Sequence, residues 1–196
     1  MKSREGKIMA GVSARHLHVS ENDLKILFGE DARLTPVKDL GQPGQYACAE
    51  KVSVVGPKGS FEGVRILGPT RKSTQVEVSR TDAFKLGINP PVRDSGDVAG
   101  SPGAKLVGPK GEVDLSQGVI IAKRHIHMTT EDAGKLGVKD KQLVSVFCDT
   151  QDRKAVLMDV LVRVSDSYAL EFHVDTDEAN AVNLKTGDMV QIVEEC

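Results

Sequence analysis

The chain has no tryptophan, and aromatic residues fill only 4% of its 196 positions. A core built with so few large rings must rest on Val, Leu, Ile and Ala. Cysteine is almost as scarce: Cys48, Cys148 and Cys196 are odd in number and lie far apart. No disulfide framework and no Cys-cluster metal site follows from them, so a reducing cytoplasm is the expected compartment. No apolar run approaches the ~18 residues that a membrane span needs. The first nine residues, MKSREGKIM, are polar and basic and lack the long apolar stretch of a secretory signal. There is no excess of one charge either. The net charge is -2 with both signs interspersed, which argues against nucleic acid or a membrane surface as partner. With 39% apolar and 28% charged residues, the composition is that of a globular protein of one large or two small domains.

Short Val/Ile-rich runs recur at 51–55, 74–78, 119–122, 143–147, 156–164, 168–174 and 189–193, separated by Gly- and Pro-containing turns. This pattern predicts a mainly β protein, a barrel or sandwich. The turn Gly-Pro-Lys-Gly occurs at 56–59 and again at 108–111, each time after a Val-rich stretch, and reads as a tight hairpin connection. Four segments carry helix signals: 20–29, 79–87 (SRTDAFKLG), 129–137 (TTEDAGKLG) and 176–187 (TDEANAVNLKTG). Each starts with a Ser or Thr able to accept a first-turn N–H, and each ends near Gly, which tolerates a left-handed cap.

Internal similarity carries more information. Arg15-His16-Leu17-His18 recurs as Arg124-His125-Ile126-His127, 109 positions later. Each copy follows an apolar stretch and precedes a Ser or Thr and a short helix. The spacing is too long for a solenoid and fits two related β domains. Between the copies lies 89–103 (NPPVRDSGDVAGSPG), rich in Pro, Gly and Asp, which reads as an interdomain linker or as a long loop within one domain.

Side chains two apart on a strand share a face, so His16 projects with His18 and His125 with His127. Paired imidazoles are good ligands for zinc or a similar transition metal. The fifth histidine, His173, lies in the strand-like run Glu171-Phe172-His173-Val174. In a chain with five histidines, four of them form two copies of one motif. With one carboxylate added, six ligands serve two metals at three each and leave an exchangeable position on each, as catalytic sites do. The other reading of these residues is hydrogen-bonded strand histidines duplicated along with the fold.

Several longer motifs accompany the histidines: Gly11-Val12-Ser13-Ala14-Arg15-His16-Leu17-His18, Gln42-Pro43-Gly44-Gln45-Tyr46, Leu67-Gly68-Pro69-Thr70-Arg71, the run TQVEVSRTDA at 74–83, Arg124-His125-Ile126-His127-Met128, and Asp175-Thr176-Asp177-Glu178-Ala179-Asn180. In these, in this order and over 11–180, the chain resembles the PduL-type phosphate acyltransferases. The resemblance implies two small antiparallel β-barrels capped by short helices. Residues 1–14 and 123–196 would form one barrel and 15–122 the other, with a lid-like insertion around 29–49. It implies two zinc ions, one held by His16, His18 and Glu77 and the other by His125, His127 and His173. Arg71 matches the family's phosphate-interacting catalytic arginine, and the Gln42, Pro43 and Gly44 turn matches a lid. Ser13 and Gln75 join that turn as expected substrate contacts. The implied partners are acyl-CoA or CoA and phosphate, and a homodimer is left open. Some members carry an amphipathic N-terminal extension for encapsulation in a microcompartment shell. Here only about a dozen polar residues precede the first motif, so shell association is not expected.

Without the resemblance, some of these residues read differently. In 74–79 the valines alternate with Gln75, Glu77 and Ser79, so valines facing a core would leave Glu77 solvated. Arg71 alone reads as a surface charge, although Gly68-Pro69 sets a turn that could aim its planar, phosphate-gripping fork into a cleft. A straight strand would hold Arg71 and Glu77 ~20 Å apart. If both serve one site, the chain must bend at 71–73. Cys148 reads as a small buried residue before it reads as a nucleophile. Arg15 and Arg124 hold carboxylates, neutralise a phosphate or lie exposed. No Walker-type loop and no GxSxG elbow is present. The expectation is therefore direct acyl transfer from CoA to phosphate at a dizinc site. A zinc-dependent hydrolase and a non-catalytic metal-binding module are the alternatives.

Overall fold

The computed structural model describes residues 6–194. The first five residues of the N-terminal segment, on which the shell expectation bears, and Cys196 lie outside the described residues. In chain order the elements are β1 (Ile8–Ser13), β2 (His16–His18), α1 (Glu21–Phe28), β3 (Pro36–Asp39), β4 (Tyr46–Val55), β5 (Ser60–Gly68), β6 (Gln75–Glu77), α2 (Arg80–Leu86), β7 (Val92–Arg93), β8 (Lys105–Val107), β9 (Glu112–Asp114) and β10 (Val119–Ala122). There follow β11 (His125–Met128), α3 (Thr130–Leu136), β12 (Leu143–Cys148), β13 (Ala155–Val164), β14 (Glu171–Asp175), α4 (Thr176–Ala181) and β15 (Met189–Val193).

The chain divides into two units. One takes the described residues up to Ser13, the short stretch Gly41–Pro43 and everything from Lys123 on. The other takes Ala14–Leu40 and Gly44–Ala122. The first unit is a closed barrel, β1-β14-β11-β13-β12-β15. Its interior holds Ile8, Ile126, Met128, Val146, Phe172 and Ile192. The second is a nine-stranded curled sheet ordered β7-β10-β6-β2-β5-β4-β8-β9, with β3 alongside β4. Leu17, Leu27, Ile66, Val76, Leu86 and Leu106 fill its core. The segment 89–103 belongs to this second unit and is no interdomain linker: β7 pairs with β10, and Ser101 Oγ accepts the Gly118 N–H at 2.9 Å.

The mainly β, helix-capped reading holds, but the strands are not uniformly antiparallel. β1 runs parallel to β14, β11 to β13, β2 to β5, and β10 to both β6 and β7. A parallel neighbour needs a crossover. For β2 and β5, α1 and the β3–β4 segment supply it.

One local pattern is used four times. His16–Ser20 (HLHVS), Gln75–Ser79 (QVEVS), His125–Thr129 (HIHMT) and Glu171–Asp175 (EFHVD) are each a short strand ending in a cap residue that starts a helix. The cap side chains of Ser20, Ser79, Thr129 and Asp175 accept N–H groups at 3.1, 3.2, 3.1 and 2.9 Å. This satisfies a first-turn donor in each helix. The second residue of each strand, Leu17, Val76, Ile126 and Phe172, is completely buried. The first and third residues are thereby turned to the opposite face.

The Gly-Pro-Lys-Gly turns close the β4–β5 and β8–β9 hairpins, as their sequence predicts. They also seat on helix ends: Lys58 N–H donates to Leu86 O of α2, and Lys110 N–H to Leu27 O of α1, each at 3.0 Å. Any Cβ at Gly56 or Gly108 would collide with those same carbonyls. The expected helix at 176–187 stops at Ala181, because Asn183 turns left-handed at φ 52° and ends the spiral before Gly187 is reached.

These burials set an expectation for stability. Leu106→Ala, at a completely buried core position, should lower unfolding free energy by about 2–5 kcal/mol. Phe84→Ala, at a residue 83% exposed, should change it by no more than about 0.5 kcal/mol. Urea unfolding of the two variants beside the parent chain checks both.

Candidate metal centres

In the second unit, antiparallel pairing of β2 with β6 sets His16 opposite Glu77 and His18 opposite Gln75. His16 Nδ1 meets Ala14 O at 2.9 Å and His18 Nδ1 meets Leu67 O at 3.1 Å. A ring that donates from Nδ1 keeps its lone pair on Nε2, the arrangement usual for metal-ligating histidines. Both Nε2 atoms face Glu77, at 3.5 Å from Oε2 for His16 and 4.0 Å from Oε1 for His18. These contacts are longer than hydrogen bonds and bring three ligand atoms within 4.8 Å of one another.

Glu77 is not solvated, contrary to its reading from alternation alone; it is 9% exposed. The alternation itself is correct, since Val76 and Val78 lie in the core. The opposite face is covered by the 94–96 loop. Ser95 Oγ donates to Glu77 Oε1 at 2.8 Å, and Gln75 Nε2 donates to the same oxygen at 2.6 Å. Ser95 Oγ also accepts from Arg71 Nη1 at 3.0 Å and from Gln75 Nε2 at 2.9 Å. One hydroxyl thus joins Arg71 to the Glu77 carboxylate. The required bend is present: Arg71 N–H donates to Val19 O at 2.9 Å, and β6 starts only at Gln75.

The charges in this cluster are mutually adjusted. Burial opposes ionisation of Glu77, but His16, His18, the Ser95 hydroxyl and Arg71 outweigh it and hold its carboxyl well below the usual range. Burial, then Arg71 and His16, push His18 down to about 3, so its ring is neutral at physiological pH. A carboxylate and neutral imidazoles are the protonation states that metal binding needs.

In the first unit, β11 pairs antiparallel with β14, placing His125 opposite His173 and His127 opposite Glu171. His125 Nδ1 meets Lys123 O at 2.7 Å. The His125 and His173 rings stack 5.0 Å apart, and His127 stands edge-on to both. Tyr168 covers His127 with ring centroids 4.3 Å apart. Burial, then His125 and His173, push His127 down to about 2, leaving it neutral. Among the described residues, the buried side-chain nitrogens and oxygens without a hydrogen-bond partner are His127 Nδ1 and His173 Nε2. Buried polar atoms are almost always paired, and the orphaned His127 Nδ1, in one cluster with His125 and His173, fits a metal ion's donor set; His173 Nε2 faces the Glu171 carboxylate without the alignment of a hydrogen bond.

Beside this cluster lies Glu171, 7% exposed and 3.1 Å from His173 Nε2. Gln42 Nε2 donates to Glu171 Oε2 at 2.9 Å and to Ala169 O at 3.1 Å, while Gln42 Oε1 accepts the Ala169 N–H at 3.2 Å. The amide of Gln42 is therefore engaged by β14 and the residues before it. Pro43 and Gly44 are exposed beside it, Gly44 at φ 73°. Gln75 is likewise buried, its Oε1 accepting Gly96 N–H at 2.7 Å, so it supports Glu77 from within the protein. Ser13 ends β1 opposite Asp175, half-buried. Arg15 and Arg124 hold carboxylates at helix starts: Arg15 meets Asp82 Oδ1 at 2.7 Å, and Arg124 meets Glu178 Oε1 at 3.3 Å.

Sequence reasoning missed Ser95 and the placing of Glu171 beside His173. Nothing in the local sequence marks Ser95, because its partners are 18 to 24 positions away. Glu171 was legible: it occupies the place in EFHVD that Gln75 occupies in QVEVS.

Fold and sites together define a two-unit β protein with a histidine-based, metal-type cluster in each unit. The family model for phosphate propanoyltransferase matches residues 9–185. Curated relatives with that name include one from Thermotoga maritima, 61% identical over 97% of this chain and 91% of the relative. Others come from Sebaldella termitidis, 53% identical over 92% and 85%, and Lachnoclostridium phytofermentans, 51% identical over 95% and 87%. The chain belongs to the phosphate propanoyltransferase family. It is an enzyme, a phosphate acyltransferase. Among the described residues no helix is long and apolar enough to cross a membrane.

The thiols allow a separate check. Burial, then Glu50, raises Cys48 to about 11, and burial raises Cys148 to about 11. Both remain protonated at pH 8, far below those values. Peptide mapping after iodoacetamide treatment at pH 8 should find Cys48 and Cys148 unlabelled in folded protein and labelled in urea. Cys148→Ala should keep most activity. A covalent acyl adduct on Cys148 would contradict this.

Proposed function

We propose that the chain moves a short acyl group, acetyl or propanoyl, between CoA and inorganic phosphate: acyl-CoA + phosphate ⇌ acyl phosphate + CoA. His16, His18 and Glu77 would hold one zinc ion, and His125, His127 and His173 a second. The observation that carries this reading is Arg71, tied through Ser95 Oγ to the carboxylate of a metal-type cluster. The names of the relatives supply the phosphate and acyl chemistry.

Arg71 presents a planar fork that grips phosphate through two parallel N–H groups and keeps its charge at any working pH. Ser95 accepts from one of its nitrogens, which fixes where the fork points. So held, phosphate aims an oxygen at the thioester carbonyl carbon, and the guanidinium lowers the repulsion between the incoming anion and the developing negative charge. The new C–O bond forms, the C–S bond breaks, and sulfur leaves with the electron pair as CoA thiolate. Bound zinc would supply Lewis-acid stabilisation of that thiolate and of the carbonyl oxygen. Direct transfer is favoured because Cys48 and Cys148, buried and protonated, are poor nucleophiles. Free, buried thiols also suit a reducing cytoplasm.

Incubating purified protein with acetyl- or propanoyl-CoA and phosphate tests the reading, with acyl phosphate trapped as its hydroxamate and metal measured in parallel. Acyl phosphate formation with about two zinc-like ions per chain is expected, and chelation should abolish it. Release of free acid alone would mark a hydrolase, and bound ions without turnover a non-catalytic module. Arg71→Ala should lose about 10²–10³ in kcat while keeping both ions, and Arg71→Lys should recover little, since a point charge does not copy the fork. Wild-type rates in either variant would place phosphate elsewhere.

A further inference from the structure

The two clusters are built on the same backbone, but their second strands carry different chemistry. β6 contributes Gln75 and Glu77; β14 contributes Glu171 and His173. The register equates them: Glu77 and His173 lie opposite the first histidine of each HxH, and Gln75 and Glu171 lie opposite the second. In the second unit the ligand is a carboxylate, which only accepts hydrogen bonds, and its strand neighbour Gln75 is an amide that donates to it at 2.6 Å. In the first unit the ligand is an imidazole, which needs an acceptor for its second nitrogen, and its neighbour Glu171 is a carboxylate 3.1 Å away. Ligand and support have exchanged polarity together.

Glu171 is also held in place as a support must be. Gln42 donates to its Oε2 at 2.9 Å. The backbone approaches it from both sides at glycines: a Cβ on Gly11 would stand 2.6 Å from Glu171 Oε1, and one on Gly41 would overlap the carboxylate. Only residues without a side chain leave room for a carboxylate there. From this matched exchange we infer that Glu171 is the positioning carboxylate of the His125–His127–His173 centre. It orients the His173 ring with its proton on Nε2, the nitrogen Glu171 faces, so that the ring offers its Nδ1 lone pair to the metal. The role of Gln75 at Glu77 is the same with the donor and acceptor reversed.

The inference rests on the proposed metal binding, and the two fail separately in a metal titration. Full-length protein stripped by chelator is titrated with Zn²⁺ against a chromophoric competitor, with far-UV circular dichroism as the fold control. The parent chain should take two ions; if it takes none, the proposed function falls. Glu171→Gln should keep one ion at parental affinity and bind the other about 10–100-fold more weakly, the loss typical of removing a histidine's outer partner. His173→Glu alone sets two carboxylates side by side and should lose the ion from that centre. The double variant Glu171→Gln with His173→Glu copies the Gln75–Glu77 pair and should bind more tightly than His173→Glu alone. Two ions at parental affinity in Glu171→Gln would overturn the inference and leave metal binding standing. If Glu171→Gln does not fold, a double variant no tighter than His173→Glu overturns it.

Discussion

The constraint on which the structure depends is the alternation of side chains along four short strands. Each strand has three or more residues before a helix cap, and each sinks its second residue completely into a core. That burial leaves no freedom in where the first and third residues point. A slip of one residue would turn the histidines into the hydrophobic cores and take Leu17 or Phe172 out of them. The hydrophobic effect on the inner face therefore positions the metal-type ligands on the outer one. At about 0.8 kcal/mol per buried CH₂, Leu17, Val76, Ile126 and Phe172 strongly favour the observed register.

The caps complete that constraint. Ser20, Ser79, Thr129 and Asp175 stop each strand and start a helix within one residue. Two helix starts are braced further: Arg15 reaches Asp82 and lies 4.1 Å over the Phe61 ring, and Arg124 reaches Glu178. These arginines flank the HxH motifs, yet their charge is engaged by carboxylates at the starts of α2 and α4. Arg71 is joined instead to the Ser95 hydroxyl, which in turn bonds the Glu77 carboxylate.

The two centres share a backbone and differ in electrostatics. The His16, His18 and Glu77 cluster includes a carboxylate held ionised by its neighbours, Arg71 among them. Glu77 Oε1 receives Gln75 and Ser95, and Oε2 faces His16. The other cluster has three histidines, with Glu171 alongside as a carboxylate that the His173 ring and then the Gln42 amide hold below its ordinary pKa, against the opposing effect of burial.

The linear chain by itself determined the mainly β class, the duplicated HxH, the hairpins at Gly-Pro-Lys-Gly and the caps Ser20, Ser79 and Thr129 of three helices; the fourth cap is Asp175, one residue before the expected Thr176. These depend on neighbours a few residues apart, through strand alternation, turn chemistry and cap hydrogen bonds. It also carried the motifs by which the family is recognised. Helix ends were less legible, as Asn183 shows. Tertiary structure alone decided that Glu77 is buried and that Arg71 and Glu77 share the Ser95 hydroxyl. It likewise decided that Gln42 and Gln75 support carboxylates from inside the protein. Each of those facts is a contact between strands or loops far apart in the chain, where burial and hydrogen-bond geometry depend on which segments the sheets bring together, and no local pattern encodes that choice.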